Sequence, residues 1–139
     1  MLQVPDGESY RLSVKTLRRE LTQRRALHTT LGRYAEVVIA HSMQSTACLA
    51  QHSVQERCAR WLLMTHDRIE RDDFDLSQEF LAMMLGVSRQ SVTVVAGALQ
   101  MAGLIRYTHG HITILDRSRL EAASCECYAV VQAAYKRLP

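Results

Sequence analysis

Aromatic side chains make up only 6% of the 139 residues, which argues against a large sheet faced with Tyr, Phe and Trp. The apolar share of 47% comes mostly from Leu, Ala, Val and Met, a mixture that favours helices. It suffices for a core and excludes wholesale disorder. No run of about 18 apolar residues occurs, so no membrane partner is expected. The opening Met1-Leu2-Gln3-Val4-Pro5-Asp6 lacks the basic-then-apolar pattern of an export signal, which makes the cytoplasm the expected location. Without such a signal, Cys48, Cys58, Cys125 and Cys127 do not read as a disulfide framework. The net charge of +3 leans only mildly toward an anionic partner. The length suits one ordinary domain, or a small domain with an appendage.

Residues 11–25 are strongly basic, with Arg11, Lys15, Arg18, Arg19, Arg24 and Arg25 against Glu20 alone. Pro5, Asp6 and Gly7 before them read as a loop, and 8–14 as either a short strand or a frayed tail. From Arg25 to Gln51 there is no proline and one glycine, Gly32, which predicts a long helix. Leu27, Leu31, Tyr34, Val38, His41, Ser45 and Cys48 recur at alternating spacings of four and three, a coiled-coil seam over roughly three heptads. The partner helix can come from a second chain or from this one. A helix over 25–51 is about 40 Å long, more than a domain this small easily buries, so a homodimer is expected. Ser53 with Glu56 fits a capping box opening a further helix, in which Trp61 is core. The acidic stretch 67–75 reads as a solvated connector without the oxygen pattern of a calcium loop.

The densest signal follows. Ser77 is a candidate N-cap with Glu79 in the first helical turn, and Phe80, Leu81, Met84 and Leu85 form a buried stripe. Gly86 suits the left-handed residue past a helix end, Val87 plugs the turn, and Ser88 caps a second helix. Val92, Val95, Ala96 and Leu99 lie at i, i+3, i+4 and i+7, its buried face. Two helices across so short a turn are a helix-turn-helix. The outward start of the second helix, Arg89, Gln90, Thr93 and Val94, is where such a helix meets base edges in the major groove. Arg89 has the fork for guanine, Gln90 can serve adenine or a phosphate, and Thr93 offers a methyl or a hydroxyl. Ser77, Ser88 and Ser91, near helix N-termini, are candidate phosphate contacts.

Gly103 closes that helix. Two apolar or alternating runs, 104–108 and 111–115, then flank a tight turn at His109-Gly110, the pattern of a wing. Arg106, His109 and His111 would reach the flanking DNA backbone; the two histidines lack an obvious third ligand, so no metal is expected there. Ser118 with Glu121 predicts a last helix running toward Tyr135. C-x-C at Cys125 and Cys127 is weak evidence for zinc or an iron–sulfur centre. The expectation is one cysteine packed in a helix interface and the other incidental. No cofactor or metal is expected, and no nucleophile–base–orienter set can be assembled for an enzyme.

Residues 76–116, from Leu76-Ser77-Gln78-Glu79 through Met84-Leu85-Gly86-Val87-Ser88-Arg89-Gln90-Ser91-Val92 to Ala102-Gly103-Leu104-Ile105, resemble the C-terminal domain of Crp/Fnr-type bacterial transcription regulators. The similarity extends back through His52-Ser53-Val54-Gln55-Glu56-Arg57 and forward to Cys125-Glu126-Cys127-Tyr128. The resemblance implies a mainly α fold with a small β-hairpin wing. Residues 1–24 would be a remnant of an N-terminal sensor domain with its short helix, 25–51 the dimerisation helix, and 52–139 the winged helix-turn-helix. The family's β-roll sensor is not in this sequence, which therefore reads as a fragment or a truncated regulator. Implied partners are double-stranded DNA, a second copy of the chain and RNA polymerase. Where the family often carries an acid and a second arginine on the recognition helix, this chain has Gln90 and Val94, so its base preference should differ. The clustered ligands of the family's iron–sulfur branch are not reproduced. The competing expectation is a winged helix used as a protein-interaction module.

Overall fold

The computed structural model describes residues 10–138. The predicted loop at Pro5, Asp6 and Gly7 lies outside the described residues, as do residues 8 and 9 of the possible strand. Residues 10–13 carry no strand. Ser13 instead caps helix α1 (Val14–Gln23), its hydroxyl accepting from Thr16 N–H at 3.1 Å. Arg24 adopts an extended conformation (φ −118°) that breaks the chain before α2 (Arg25–Gln51), the long helix expected from the uninterrupted composition. Helix α3 (Val54–Ile69) starts at the capping box, with Ser53 N–H donating to Glu56 at 2.8 Å. No single helix among the described residues is long and apolar enough to cross a membrane.

Helix α3 is the centre of the fold. Cys58, Leu62 and Leu63 are fully buried and Trp61 nearly so, with the Trp61 ring set edge-on to Phe80 at 6.0 Å. Burial continues through Arg57 and Arg60, two positions that side-chain polarity alone would place outside. Around α3 pack α4 (Gln78–Leu85), α5 (Arg89–Met101), α6 (Arg117–Ala122) and α7 (Cys127–Tyr135).

The sheet has three antiparallel strands in the order β1-β3-β2, formed by Asp73–Asp75, His111–Ile114 and Ile105–Thr108. Strands β2 and β3 are the expected hairpin. Strand β1 was hidden in the acidic connector: three residues are too few to show an alternation, yet Phe74 is buried opposite Ile112. Nor is the connector simply solvated. Asp67 accepts from Arg117 at 2.7 Å and from the Tyr128 hydroxyl at 2.8 Å, and Arg117 also meets His66 Nδ1 at 2.7 Å. Burial, and then the Asp67 carboxylate, push the Tyr128 hydroxyl up to about 12. This network ties α6 and α7 to the end of α3.

Beyond the hairpin the sequence expectation needs correction. The cap of α6 is Asp116, which accepts from Arg119 N–H at 2.9 Å; Ser118 merely donates to it. The carbonyl of Leu104 receives the N–H groups of Leu115 and Asp116, and this anchors the cap two residues earlier than the Ser-Glu pattern suggests. The helix then breaks at residues 123–126 before α7, which turns back onto α2.

That packing divides the predicted seam. His41 meets the Tyr135 hydroxyl at 3.3 Å, Gln44 donates to Cys127 at 3.0 Å, and Cys48 is fully buried 3.5 Å from Cys125. The far end of the stripe is thus occupied by the chain's own last helix. Cys48 is corrected from an interchain contact to an intrachain one, and His41 is half covered. Leu27 and Ser45 are half-buried, whereas Leu31, Tyr34 and Val38 remain 38%, 47% and 38% exposed.

Burial, followed by the charges of Arg60 and Arg68, lowers His41 to about 4. The unfolded chain takes up this proton near pH 6.5. Between those values the unfolded state binds more protons, so stability present above pH 6.5 is lost as pH falls through about 4. Discounted for solvent screening, the loss from this site is about 1–2 kcal/mol. Urea denaturation at pH 7 and pH 4.5 should therefore show a smaller acid-induced loss for His41→Gln than for the unaltered chain. Equal losses would show that His41 is not held neutral.

Candidate nucleic-acid interface

Helices α4 and α5 meet at 102° across Gly86-Val87-Ser88. Each feature of that corner has a local cause. Ser77 Oγ accepts from Phe80 N–H at 3.2 Å and starts α4. Gly86 has φ +66°, the left-handed region that a side chain resists. Its N–H reaches Met83 O and that of Val87 reaches Ala82 O, at 3.3 and 3.1 Å, so two carbonyls of the helix end are satisfied. Ser88 Oγ then accepts from Ser91 N–H at 3.2 Å and opens α5. Val92, Ala96 and Leu99 are buried and Val95 is half-buried, as the apolar stripe predicts.

The opposite face leaves Arg89, Gln90, Thr93 and Val94 exposed, Val94 by 72%. Arg89 and Thr93 are held by the start of α4. Arg89 Nη1 pairs with Glu79 at 2.8 Å, while Arg89 Nε and Thr93 Oγ1 both donate to Gln78 Oε1, at 3.4 and 3.1 Å. Gln78 and Glu79 therefore belong to this surface as positioning residues. The sequence showed them only as first-turn helix residues, because partners 11 and 15 positions apart on two crossed helices share no sequence period. Ser77 and Ser88 are exposed and Ser91 is half-buried; the Ser88 and Ser91 hydroxyls lie 3.0 Å apart.

The hairpin stands beside this corner. His109 and Gly110 have φ +52° and +83°, the pair of left-handed residues that a tight hairpin turn requires. Tyr107 fastens the wing to α5 and to the segment leading into α4: its N–H donates to Gln100 Oε1 at 2.7 Å and its hydroxyl to Leu76 O at 2.7 Å. Arg106 and His109 are exposed. His111 is different. Its ring lies 2.9 Å from Asp75 and 4.0 Å from Asp73, across the β1–β3 pairing that the sequence did not reveal. Its ring therefore has carboxylate neighbours on β1 within the same chain. Glu79 thus sets negative charge beside Arg89, and Asp73 and Asp75 set it beside His111.

The structure also gathers residues that the sequence reading kept apart. Cys48, His52, Cys125 and Cys127 converge where α2 meets α7. All three cysteines are buried, so neither Cys125 nor Cys127 is incidental.

Residues 56–123 match the family described as the Crp-like helix-turn-helix domain. Among solved structures, FixK2 from Bradyrhizobium japonicum has a similar fold, with TM-score 0.72 at 18% identity over 80% of this chain and 58% of that one. A CooA variant from Carboxydothermus hydrogenoformans gives 0.68 at 15% identity over 79% and 54%. A Crp/Fnr-family protein from Eubacterium rectale gives 0.60 at 23% over 75% and 48%. The chain spans about half the length of these structures. No curated protein matches it. With the capped helix pair, the left-handed Gly86 turn and the adjoining wing, residues 56–123 form a Crp-like helix-turn-helix domain.

Proposed function

We propose that this chain is the sequence-specific DNA-binding part of a Crp/Fnr-type transcription regulator and that it works as a homodimer in the cytoplasm. The observation that carries the reading is the first turn of α5, capped by Ser88, tipped 102° from α4 and exposing Arg89, Gln90, Thr93 and Val94. An α-helix fits the major groove, and the N-terminal residues of a second helix meet the base edges there. Arg89 is suited to guanine O6 and N7, Gln90 to adenine, and Thr93 and Val94 to a thymine methyl. Ser77, Ser88 and Ser91 can meet phosphates beside the helix N-termini, with Arg106 and His109 on the flanking backbone.

Two copies suit the site. A surface with Arg89 and Arg106 as its main cations neutralises few phosphates, so one copy binds weakly. The exposed face of α2 at Leu31, Tyr34 and Val38 offers the apolar seam for a second copy. Repeated selection of duplexes from a random pool should enrich near-palindromes with half-site centres about one helical turn apart. Val38→Glu should yield a monomer in sedimentation that no longer enriches them. The acids Glu79, Asp73 and Asp75 favour a second reading, a protein-docking module. Failure to enrich any duplex at low salt would select it over DNA binding.

A further inference from the structure

Four metal-binding side chains remain outside the DNA surface. Cys48 sits in the last turn of α2, His52 is that helix's C-cap, Cys125 lies in the turn before α7, and Cys127 is the first residue of α7. One ligand atom from each lies within 4.8 Å of every other. The sulfurs of Cys48 and Cys125 are 3.5 Å apart, and Cys127 Sγ is 3.6 Å from His52 Nδ1. Tetrahedral zinc, at about 2.3 Å from sulfur and 2.0–2.1 Å from nitrogen, sets S···S edges of about 3.8 Å and S···N edges of about 3.6 Å. Two of the six edges, Cys48–Cys125 and Cys127–His52, are already close to those lengths, and none of the others exceeds 4.8 Å.

The surroundings of the cage point the same way. His52 turns Nδ1 inward and places Nε2 3.1 Å from the Glu126 carboxylate. A carboxylate behind the imidazole fixes the tautomer that leaves the other nitrogen free for a metal. Gln44 Nε2 donates to Cys127 Sγ at 3.0 Å, the bond that a coordinated thiolate accepts. A Cys48–Cys125 disulfide would need about 2.05 Å between sulfurs and would leave Cys127, His52 and Glu126 without a role. An iron–sulfur cluster distributes its thiolates over several irons and so needs a wider cage.

We propose that Cys48, His52, Cys125 and Cys127 form a structural Zn²⁺ site that fastens the C-terminal helix to the junction of α2 and α3. Four protein ligands leave no open position, so the site is structural and not catalytic. Two ligands come from each side of a 77-residue separation between Cys48 and Cys125. Only His52 and Ser53 separate α2 from α3, so the metal braces the joint between the long helix and the helix-turn-helix domain. The bearing of that joint on DNA spacing rests on the function proposed above, whereas metal binding does not.

The test uses the full chain, expressed with zinc and purified under reducing conditions without chelator. Elemental analysis should find one zinc per chain. The metal-free chain, titrated with Co²⁺, should develop the strong visible bands of tetrahedral cobalt and thiolate charge-transfer absorption. Both should saturate at one equivalent and vanish on adding Zn²⁺. Cys127→Ser should lose about a third of the charge-transfer intensity or all binding. Glu126→Gln changes an exposed residue outside the coordination sphere, preserves the fold, and should weaken zinc binding roughly 10- to 100-fold. The proposal is overturned by a metal-free chain with a weak octahedral cobalt spectrum, by unchanged affinity in Cys127→Ser, or by iron–sulfur absorption after anaerobic purification. If Cys127→Ser does not fold, the cobalt titration of the unaltered chain and the Glu126→Gln affinity still decide.

Discussion

Arg89→Ala is expected to weaken binding to a selected operator by roughly 10- to 100-fold, while affinity for random duplex falls far less. A bidentate arginine–guanine contact discriminates by about 1–3 kcal/mol, and most of that is lost with the fork. The contact that Arg89 makes without DNA is no obstacle. Arg89 and Glu79 are 64% and 63% exposed, and an ion pair that open contributes only about 0–1 kcal/mol. Arg89 can therefore exchange Glu79 for a base edge at small cost, with Gln78 still aligning the start of α5. Arg106→Ala is the control. As a phosphate contact it should weaken operator and random DNA alike and reduce the salt slope by about one. Fluorescence anisotropy on both duplexes at several salt concentrations separates the two behaviours. Equal loss on both duplexes for Arg89→Ala would remove its base-reading role.

The second large effect concerns stability. Arg57 is 7% exposed at the start of the buried run of α3. Its Nη1 donates to the carbonyl of Leu85 at 2.9 Å, the last residue of α4. That carbonyl is at the negative end of a helix, where a cation is favoured and a hydrogen-bond donor is otherwise missing. Arg57→Ala removes a charged hydrogen bond, leaves a buried carbonyl unpaired and opens a cavity beside the corner. The expected loss is about 2–4 kcal/mol, a fall in Tm on the order of 10 °C. Arg57→Met fills the space without restoring the donor and should lose about half as much. Calorimetry on the pair separates packing from the hydrogen bond; two variants as stable as the unaltered chain would show that Arg57 does not hold α4.

Both predictions depend on residues whose roles were unequally visible beforehand. Arg89 was legible, because Ser88 marks a helix start and the apolar stripe leaves Arg89, Gln90, Thr93 and Val94 on the outer face. Its partners Gln78 and Glu79 were not, since they belong to another helix. Arg57 would be placed in solvent by its charge, and only the approach of α4 gives it a buried acceptor. His111 looked like a free donor on the wing until β1 brought Asp73 and Asp75 beside it.

The sequence by itself determined the long helix over 25–51, the capping box at Ser53, the Gly86 corner, the buried stripe of α5 and the His109-Gly110 turn. Each depends on residues within a few positions of one another, where the backbone's own period sets which groups meet. Only the tertiary structure decided that β1 completes the sheet, that Asp116 caps α6, and that α7 returns to cover His41 and Cys48. It alone brought Cys48 and His52 to Cys125 and Cys127. Contacts across some 75 residues depend on how finished helices dock, and docking follows from the summed burial of many side chains, which no local spacing encodes.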